Sequence, residues 1–245
     1  MGHNYSQNHP QSWSTVSNSN LYRSWLDNIE HPPFRPRSSN TSLILALPWM
    51  LYHFDNSQLR HYQLAQNLKL AHETNIPNLI DITAALHIMG DCIEWLMQFP
   101  PSIQKPLTLL CGHLQQQQSA YSQAVNTKRN QVIKALVTNS PLSNVDNVVD
   151  STMLSTVTIA IKQCLAYREN LALAFGSSQI GTAIPPLIGC LLGAWAGTSI
   201  IPDQWMITFS SDSRHSLAHI TQTLYRRWAG ITSSMTTKEV FPLDL

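Results

Sequence analysis

The chain has 245 residues, which is enough for one large domain or for a domain with a tail. Hydrophobic residues make up 43% of the sequence but charged residues only 12%, about half the usual share, and Gln, Asn, Ser and Thr take their place. The formal net charge is +1 and the basic residues are scattered, so nothing indicates a nucleic-acid partner or an anionic membrane surface.

Residues 1–40 have the composition of a tail. The run MGHNYSQNHPQSWSTVSNSN is rich in Ser, Asn, Gln and His and offers too little apolar surface to order itself. A short amphipathic turn at residues 22–29 would be ended by Pro32 and Pro33. We therefore predict a disordered tail over residues 1–40 and a single folded domain over residues 41–245.

Apolar residues at steps of three and four predict helices through most of the domain. Caps are expected at Thr41 or Ser42, at Asp150 or Ser151, and at Ser213, because these side chains can accept hydrogen bonds from free backbone N–H groups. Period-two alternation is scarce, so we expect no significant sheet. The predicted fold class is all-α, a compact bundle of seven to nine helices, with segments at about 42–51, 57–72, 81–99, 106–118, 128–137, 151–165, 185–201 and 213–228.

The longest uncharged stretch, Asn170–Pro202, is expected to be the centre of the fold. Gly189, Gly193 and Gly197 follow one another at intervals of four, which places them on nearly one face of a helix. Because such a face lets another backbone approach closely, we predict a helix that is buried on most sides. In an alternative interpretation, residues 180–201 anchor a small membrane protein.

The segment Gly189–Trp205, GCLLGAWAGTSIIPDQW, resembles the C-terminal signature of the ADP-ribosylglycohydrolase family. In that family a helix of the form G-A-L-L-G-A-Y-Y-G is followed by a short turn and I-P-x-x-W. Residues Ser151–Phe175 resemble the helix that leads into the signature, and residues Leu45–Thr74 resemble the family's middle helices more loosely. The resemblance implies an all-helical, orthogonal-bundle fold of the ADP-ribosylglycohydrolase type.

The chain departs from the family where active members bind metal. There, a G-D-x-D-T motif precedes the signature helix, and its aspartates hold two Mg²⁺ or Mn²⁺ ions beside the ribose. Here the corresponding segment reads GSSQIGT, with no Asp or Glu between Glu169 and Asp203. The family's G-D-A-x-G and D-D-T motifs have no counterpart either. The resemblance therefore implies that the metal site is lost, that no metal cofactor is used, and that the former pocket is lined by Ser177, Ser178, Gln179 and Thr182.

Other side chains could belong to a rebuilt or metal-free site. Asp91 and Glu94 form the best remaining carboxylate pair, although a solvated helix face explains them more simply. Helix capping explains Asp146 and Asp150, and no nearby Glu completes a metal motif with His215 and His219. The catalytic candidates of such a site are Asp91, Glu94, Asp146, Asp150 and His53. Four cysteines without metal-like spacing, at positions 92, 111, 164 and 190, are expected to be buried free thiols in a reducing cytoplasm.

The function that follows is a degenerate ADP-ribosylglycohydrolase-like protein without catalytic residues. We expect it to bind a protein partner or a small nucleotide-sugar-like ligand through the former pocket, and to be cytoplasmic. The alternative is an ADP-ribosyl hydrolase with a rebuilt or metal-free site, and the second alternative is the membrane protein described above.

Overall fold

A computed structural model describes residues 39–72, 78–117, 122–138, 145, 148–176, 182–208, 218–219 and 222. Over these ranges the chain has nine α-helices, one 3₁₀ helix and no strand, which confirms the predicted all-α class. The helices are α1 (Ser39–Tyr52), α2 (Ser57–His72), α3 (Leu79–Gln98), α4 (Pro106–Gln116), α5 (Gln123–Val137), α6 (Thr152–Ala166), α7 (Leu171–Gly176), α8 (Ile184–Ala196) and α9 (Asp203–Thr208), with the 3₁₀ helix at Gly197–Ile200.

The helix ends follow local chemistry that the sequence makes visible. Asn56 caps α2, because its side-chain oxygen accepts a hydrogen bond from the backbone N–H of Leu59 at 2.9 Å. Ser122 caps α5 in the same way. α3 ends at Gln98, and Phe99, the residue before Pro100, has the extended backbone that a following proline favours. The bounds predicted for the second helix and the start of the fourth are thus those observed.

Two elements were not predicted, and two predictions lie outside the described residues. Helices α7 and α9 have six residues each, too few to show a helical period in the sequence. The predicted tail falls on residues 1–38, outside the described ranges, except that α1 begins at Ser39. The predicted last helix, 213–228, is described only at 218–219 and 222, which are helical.

The central helix of the described part is α3. It packs against α1, α2, α4, α5, α6 and α8, and its residues are buried almost without interruption from Ile82 to Leu96. The prediction that Asn170–Pro202 forms the centre is therefore wrong. Helix α8 buries one face, formed by Leu187, Ile188, Leu191, Leu192 and Trp195, and exposes Pro186 and Gly193 on the other. The absence of charged residues correctly predicted that this segment is apolar, but it did not predict that only one face of the helix is buried.

The three regularly spaced glycines do not form a close-contact face. A Cβ at Gly189 would lie 3.5 Å from the Phe175 ring, which is ordinary van der Waals contact. Gly193 is exposed, and a Cβ there would meet nothing within 4 Å. Gly197 ends α8 at φ 65° and ψ −150°, a conformation that residues with a side chain rarely adopt. The regular spacing therefore has no common structural cause: Gly189 lies near an aromatic ring, Gly193 is at the surface, and Gly197 forms a turn.

The apolar stretch that suggested a membrane anchor forms α8, a helix of 13 residues. No helix within the described ranges combines the length and the apolar character needed to cross a membrane.

Candidate functional site

Charged and polar side chains meet inside the helical body where α2 and α5 pack against α3. Arg60, Asp91 and Arg129 are at most 1% exposed. We refer to the whole group as the buried ion cluster; its members are Arg60 and His61 of α2, His87, Asp91 and Glu94 of α3, and Arg129 of α5.

Asp91 is the hub of the buried ion cluster. Its Oδ2 lies 2.9 Å from Nη1 of Arg129, and its Oδ1 lies 3.6 Å from Nη2 of Arg60. The Nε2 of His61 is also 3.6 Å from Oδ1. Glu94, one helical turn further along α3, pairs with the same Nη2 of Arg60. Two carboxylates thus face two guanidinium groups, so the formal charges balance inside the protein.

Each arginine also binds the C-terminal end of a further helix. Nη1 of Arg60 donates hydrogen bonds to the carbonyls of His53 and Phe54, both at 2.7 Å, just after the end of α1. Nη2 of Arg129 donates to the carbonyl of Leu114 at 3.0 Å, in the last turn of α4. Carbonyls at a helix C-terminus lack intrahelical partners and carry partial negative charge, so a cation is favourable there. Through these contacts Asp91 connects α1, α2, α4 and α5 to α3.

Gly90 makes room for Arg60. A Cβ at Gly90 would lie only 3.1 Å from Nε of Arg60, closer than side chains normally approach. Because Arg60 is held at its far end by carbonyls and carboxylates, it has little freedom to move away. Of the described glycines, Gly90 is therefore the one whose missing side chain serves close packing, and it sits beside the charged hub.

The surroundings of Asp91 and His87 push their proton affinities in fixed directions. Burial alone would raise the pKa of Asp91, but the interaction with His61 and the charges of Arg129 and Arg60 lower it to about 2. Burial lowers the pKa of His87 to about 3, although the Asp91 charge acts in the opposite direction. At neutral pH Asp91 is therefore ionised and His87 is neutral. Neither group is poised to exchange a proton near pH 7.

The solvated face expected for Asp91 and Glu94 is thus wrong. Asp91 is completely buried, and the Glu94 side chain is 13% exposed. On α2, Arg60 and Leu64 face the body, whereas Tyr62 is 62% exposed. Sequence reasoning missed Arg60 and Arg129 since their partners lie on other helices. The available signal was the position of Arg60 one turn before the apolar Leu64.

The remaining catalytic candidates do not come together with this cluster as a reactive group. The His53 ring packs edge-on against Trp49 and Tyr52, with centroids 5.9 and 4.7 Å away. Asp150 does not cap α6; its carboxylate lies 2.9 Å from Nζ of Lys128, which also contacts Asp81 at 3.0 Å. The N-cap of α6 is Ser151, without a side-chain capping bond. Asp146 and His215 lie outside the described residues, and His219 is exposed.

The predicted pocket is only partly described. Ser177, Ser178 and Gln179 lie outside the described residues, whereas Oγ1 of Thr182 accepts a hydrogen bond from the backbone N–H of Ile184 at 3.4 Å, at the start of α8. On α7 and α9, the rings of Phe175 and Trp205 stack with centroids 5.8 Å apart and planes 10° from parallel. We call Phe175, Gly189 and Trp205 the signature cluster. Trp205 of the Gly189–Trp205 segment is thus explained by its stacking on Phe175, a ring that lies next to Gly189 without requiring a glycine there.

Neither metal nor thiol chemistry is supported in the described residues. No three His, Cys, Asp or Glu side chains in these ranges are arranged to hold a metal ion. Around Asp91 and Glu94, the positions that a divalent cation would need are occupied by guanidinium groups, so these carboxylates do not fit such an ion. All four cysteines are free; three are buried and Cys190 is half-buried. Burial raises the pKa of each thiol, that of Cys190 to about 12, which suppresses the reactive thiolate.

Comparison of the chain with protein families, with curated proteins and with solved structures finds no match.

Proposed function

We propose that this chain is a non-catalytic member of the ADP-ribosylglycohydrolase-like helical proteins, which works in the cytoplasm as a binding module. Its ligand would be a nucleotide-sugar-like group, free or carried on a protein partner, bound next to the N-terminal end of α8. Thr182 lies at that end, and Ser177, Ser178 and Gln179 precede it in the sequence. Their hydroxyl and amide groups suit the hydrogen-bonding groups of a ribose.

The observation that carries the proposal is the use of Asp91 and Glu94. A glycohydrolase needs carboxylates that can hold a metal or move a proton beside the sugar. Here the two best carboxylates are paired with Arg60 and Arg129 inside the body. The pKa of Asp91 is lowered to about 2, so its carboxylate stays ionised at neutral pH. They stabilise the helical scaffold and are not available for turnover, and the other described carboxylate pair, Asp81 and Asp150, is bound to Lys128.

The signature cluster supports the other half of the proposal, that the scaffold is kept for binding. The stack between Phe175 and Trp205 joins α7 to α9, and α7 also packs against α8, where the Phe175 ring lies near Gly189. These helices flank the position of the proposed ligand in the chain. A binding module needs this framework even when the metal ligands are absent.

An ADP-ribosylated peptide tests both halves of the proposal. Calorimetry would compare the modified peptide, the same peptide without ADP-ribose, and free ADP-ribose, each with Mn²⁺ and with EDTA. We expect binding of an ADP-ribose-containing probe that is equal in Mn²⁺ and in EDTA, and no tight binding of Mn²⁺ alone. Equal affinity for modified and unmodified peptide, or no binding of any probe, would contradict the proposed ligand class.

A release assay tests the enzymatic alternative. We expect no release of ADP-ribose from arginine- or serine-linked substrate above the rate without protein. Metal-dependent release would mean that carboxylates elsewhere have rebuilt the site, and Asp150→Asn would then be the first variant to examine, because Asp150 is an exposed carboxylate beside Asp81 and Lys128.

A further inference from the structure

Over residues 57–66, helix α2 is attached to the body mainly by polar contacts. Among its residues 57–66, whose burial is described, only Arg60 and Leu64 are buried. The Arg60 side chain makes the contacts of the buried ion cluster, and Gln63 accepts a hydrogen bond from Nε1 of Trp49 at 2.7 Å. Leu64 is thus the apolar anchor in this part of α2. A helical segment with as little buried apolar surface as residues 57–66 has a small free energy of local opening compared with the core.

Helices α3, α6 and α8 are held together differently. Helices α3, α6 and α8 pack on one another through large apolar side chains, among them Ile88, Leu154 and Leu191. Their contacts do not involve the buried ion cluster. Removing α2 would therefore leave the apolar centre of the body in place.

The surface of α3 that α2 covers carries a titratable group, His87. This side chain is 6% exposed, and its ring lies edge-to-face against the His61 ring with centroids 5.1 Å apart. The charged and titratable groups that act on His87 are Asp91 of α3 itself, His61 and Arg60 of α2, and Arg129 of α5. On the same part of α3, Cys92 is also buried, and its thiol stays protonated in acid because burial raises its pKa. Helix α1 contributes the carbonyls that bind Arg60.

We propose that α2 is an acid-released helix: as the pH falls below neutrality, α2 detaches from α3 and uncovers His87, Asp91 and Glu94 while the α3–α6–α8 body stays folded. The driving event is the uptake of one proton by His87 in the open form. The closed form disfavours that proton, because it would add an unbalanced charge beside Arg60 and Arg129 to a buried group whose carboxylates are already paired.

The direction of the effect follows from linkage. In the closed protein the pKa of His87 is about 3, whereas an exposed histidine titrates near the ordinary value of 6.5. Between these two values the open form binds a proton that the closed form does not bind. Closure of α2 is therefore fully favoured above pH 6.5 and weakens as the pH falls toward 3, with an opening constant that rises up to about tenfold per pH unit.

The released surface has a defined composition. His87, Asp91 and Glu94 stand at positions i, i+4 and i+7 of α3, so they share one face of the helix. Opening exposes this polar stripe together with the arginine that pairs with Asp91 from α5. The acid-released form would therefore present a charged helix face that the closed form conceals.

Amide hydrogen exchange on the full chain between pH 7.5 and 4.5, corrected for the intrinsic pH dependence of exchange, tests this device. We expect the protection of α2 amides to fall by up to about tenfold per pH unit below pH 6, while α8 amides keep theirs. His87→Gln should flatten the pH dependence of α2 opening, and the exposed control His219→Gln should leave it unchanged.

Two outcomes would overturn the proposal. One is loss of protection in α2 and α8 together at the same pH, which would mean global unfolding. The other is an unchanged pH dependence of α2 opening in His87→Gln. If that variant does not fold, Leu64→Ala provides a second route, because weakening the apolar anchor should increase α2 opening equally at every pH and keep its slope. A changed slope in Leu64→Ala would contradict the assignment of the proton to His87.

Discussion

At Asp91 the cost of burying a carboxylate is offset by guanidinium groups instead of water. Taking a charge out of water costs several kcal/mol, and the pairing with Arg129 and Arg60 recovers this cost only while the partners remain. Removing Asp91 would therefore lower the stability by more than its ion pairs contribute, because buried charges would be left unpaired. Arg60 would keep Glu94 as a carboxylate partner, whereas Arg129 would lose the carboxylate that it pairs with.

Asp91→Asn is expected to destabilise the protein by about 3–5 kcal/mol, because it leaves an uncompensated buried charge. The matched control is Asp150→Asn, which removes a carboxylate whose side chain is 57% exposed and paired with Lys128. Exposed pairs of this kind contribute about 0.2–1 kcal/mol. Urea denaturation at pH 7 measures both variants. Equal losses in the two would mean that Asp91 is not the electrostatic hub.

Gly90 and Gly193 provide a second matched pair, since both lie within helices but differ in their surroundings. Gly193→Ala should stabilise the protein by up to about 1 kcal/mol, because a Cβ there meets nothing and alanine favours the helix. Gly90→Ala gains the same propensity but crowds Nε of Arg60, which is fixed at its far end. Overpacking of this kind costs about 1–3 kcal/mol.

Thermal unfolding of the two variants separates these effects. We expect the midpoint of Gly193→Ala at or above that of the parent protein and the midpoint of Gly90→Ala below it. The reverse order would show that Arg60 can move aside, and that Gly193 is the glycine with a packing role.

At the scale of single helices, local sequence signals predicted most of the structure. Ser57 and Pro106 mark helix starts, and Pro100 marks an end, because helix-starting residues and prolines act on their own backbone neighbourhood. Local signals did not predict which helix is the most buried. Helix α3 carries Asp91 and Glu94 and therefore looked more exposed than α8, which carries no charge.

Local sequence signals predicted the candidate site even less well than the burial of the helices. The burial of Asp91 depends on Arg60 and Arg129, which come from other helices and leave no mark in the sequence around residue 91. Equally spaced glycines predicted one shared role for Gly189 and Gly197, although a ring contact and a turn explain them separately. A pattern along one element constrains that element, whereas pairing between elements requires the fold.

Helix α9 should depend on its single stacked ring. With six residues it is too short to be stable alone, and Trp205 stacks on Phe175 of α7. Trp205→Ala should increase amide exchange across α9 markedly, because it removes both the stacking and the apolar contact area. The control is Ile207→Ala on the same helix, whose side chain is 77% exposed and whose loss should change little. Similar exchange in both variants would argue that backbone contacts hold α9.

Across the whole molecule, a chain with few charges places several of them at its centre. Only 12% of the residues are charged, yet the cluster at Asp91 joins α1, α2, α4 and α5 to α3. An apolar core can often accept more than one arrangement of similar helices, whereas paired charges tolerate few. We infer that the cluster fixes which helices surround α3, while apolar burial supplies most of the stability.

The four cysteines report on the integrity of this body as a whole. Cys92, Cys111 and Cys164 are buried on α3, α4 and α6, and Cys190 is half-buried on α8. Because the thiolate is the reactive species and burial raises the pKa of each thiol, modification in the folded state requires opening. A thiol-specific reagent at pH 7.5 should therefore react slowly with the native protein, Cys190 first, and rapidly with all four thiols in denaturant.

Asp91→Asn should raise the native-state rate at Cys92, since it weakens the hub beside that residue, whereas Asp150→Asn should not. Rapid reaction of several thiols in the unmodified native protein would show that the helices around α3 do not form a closed core.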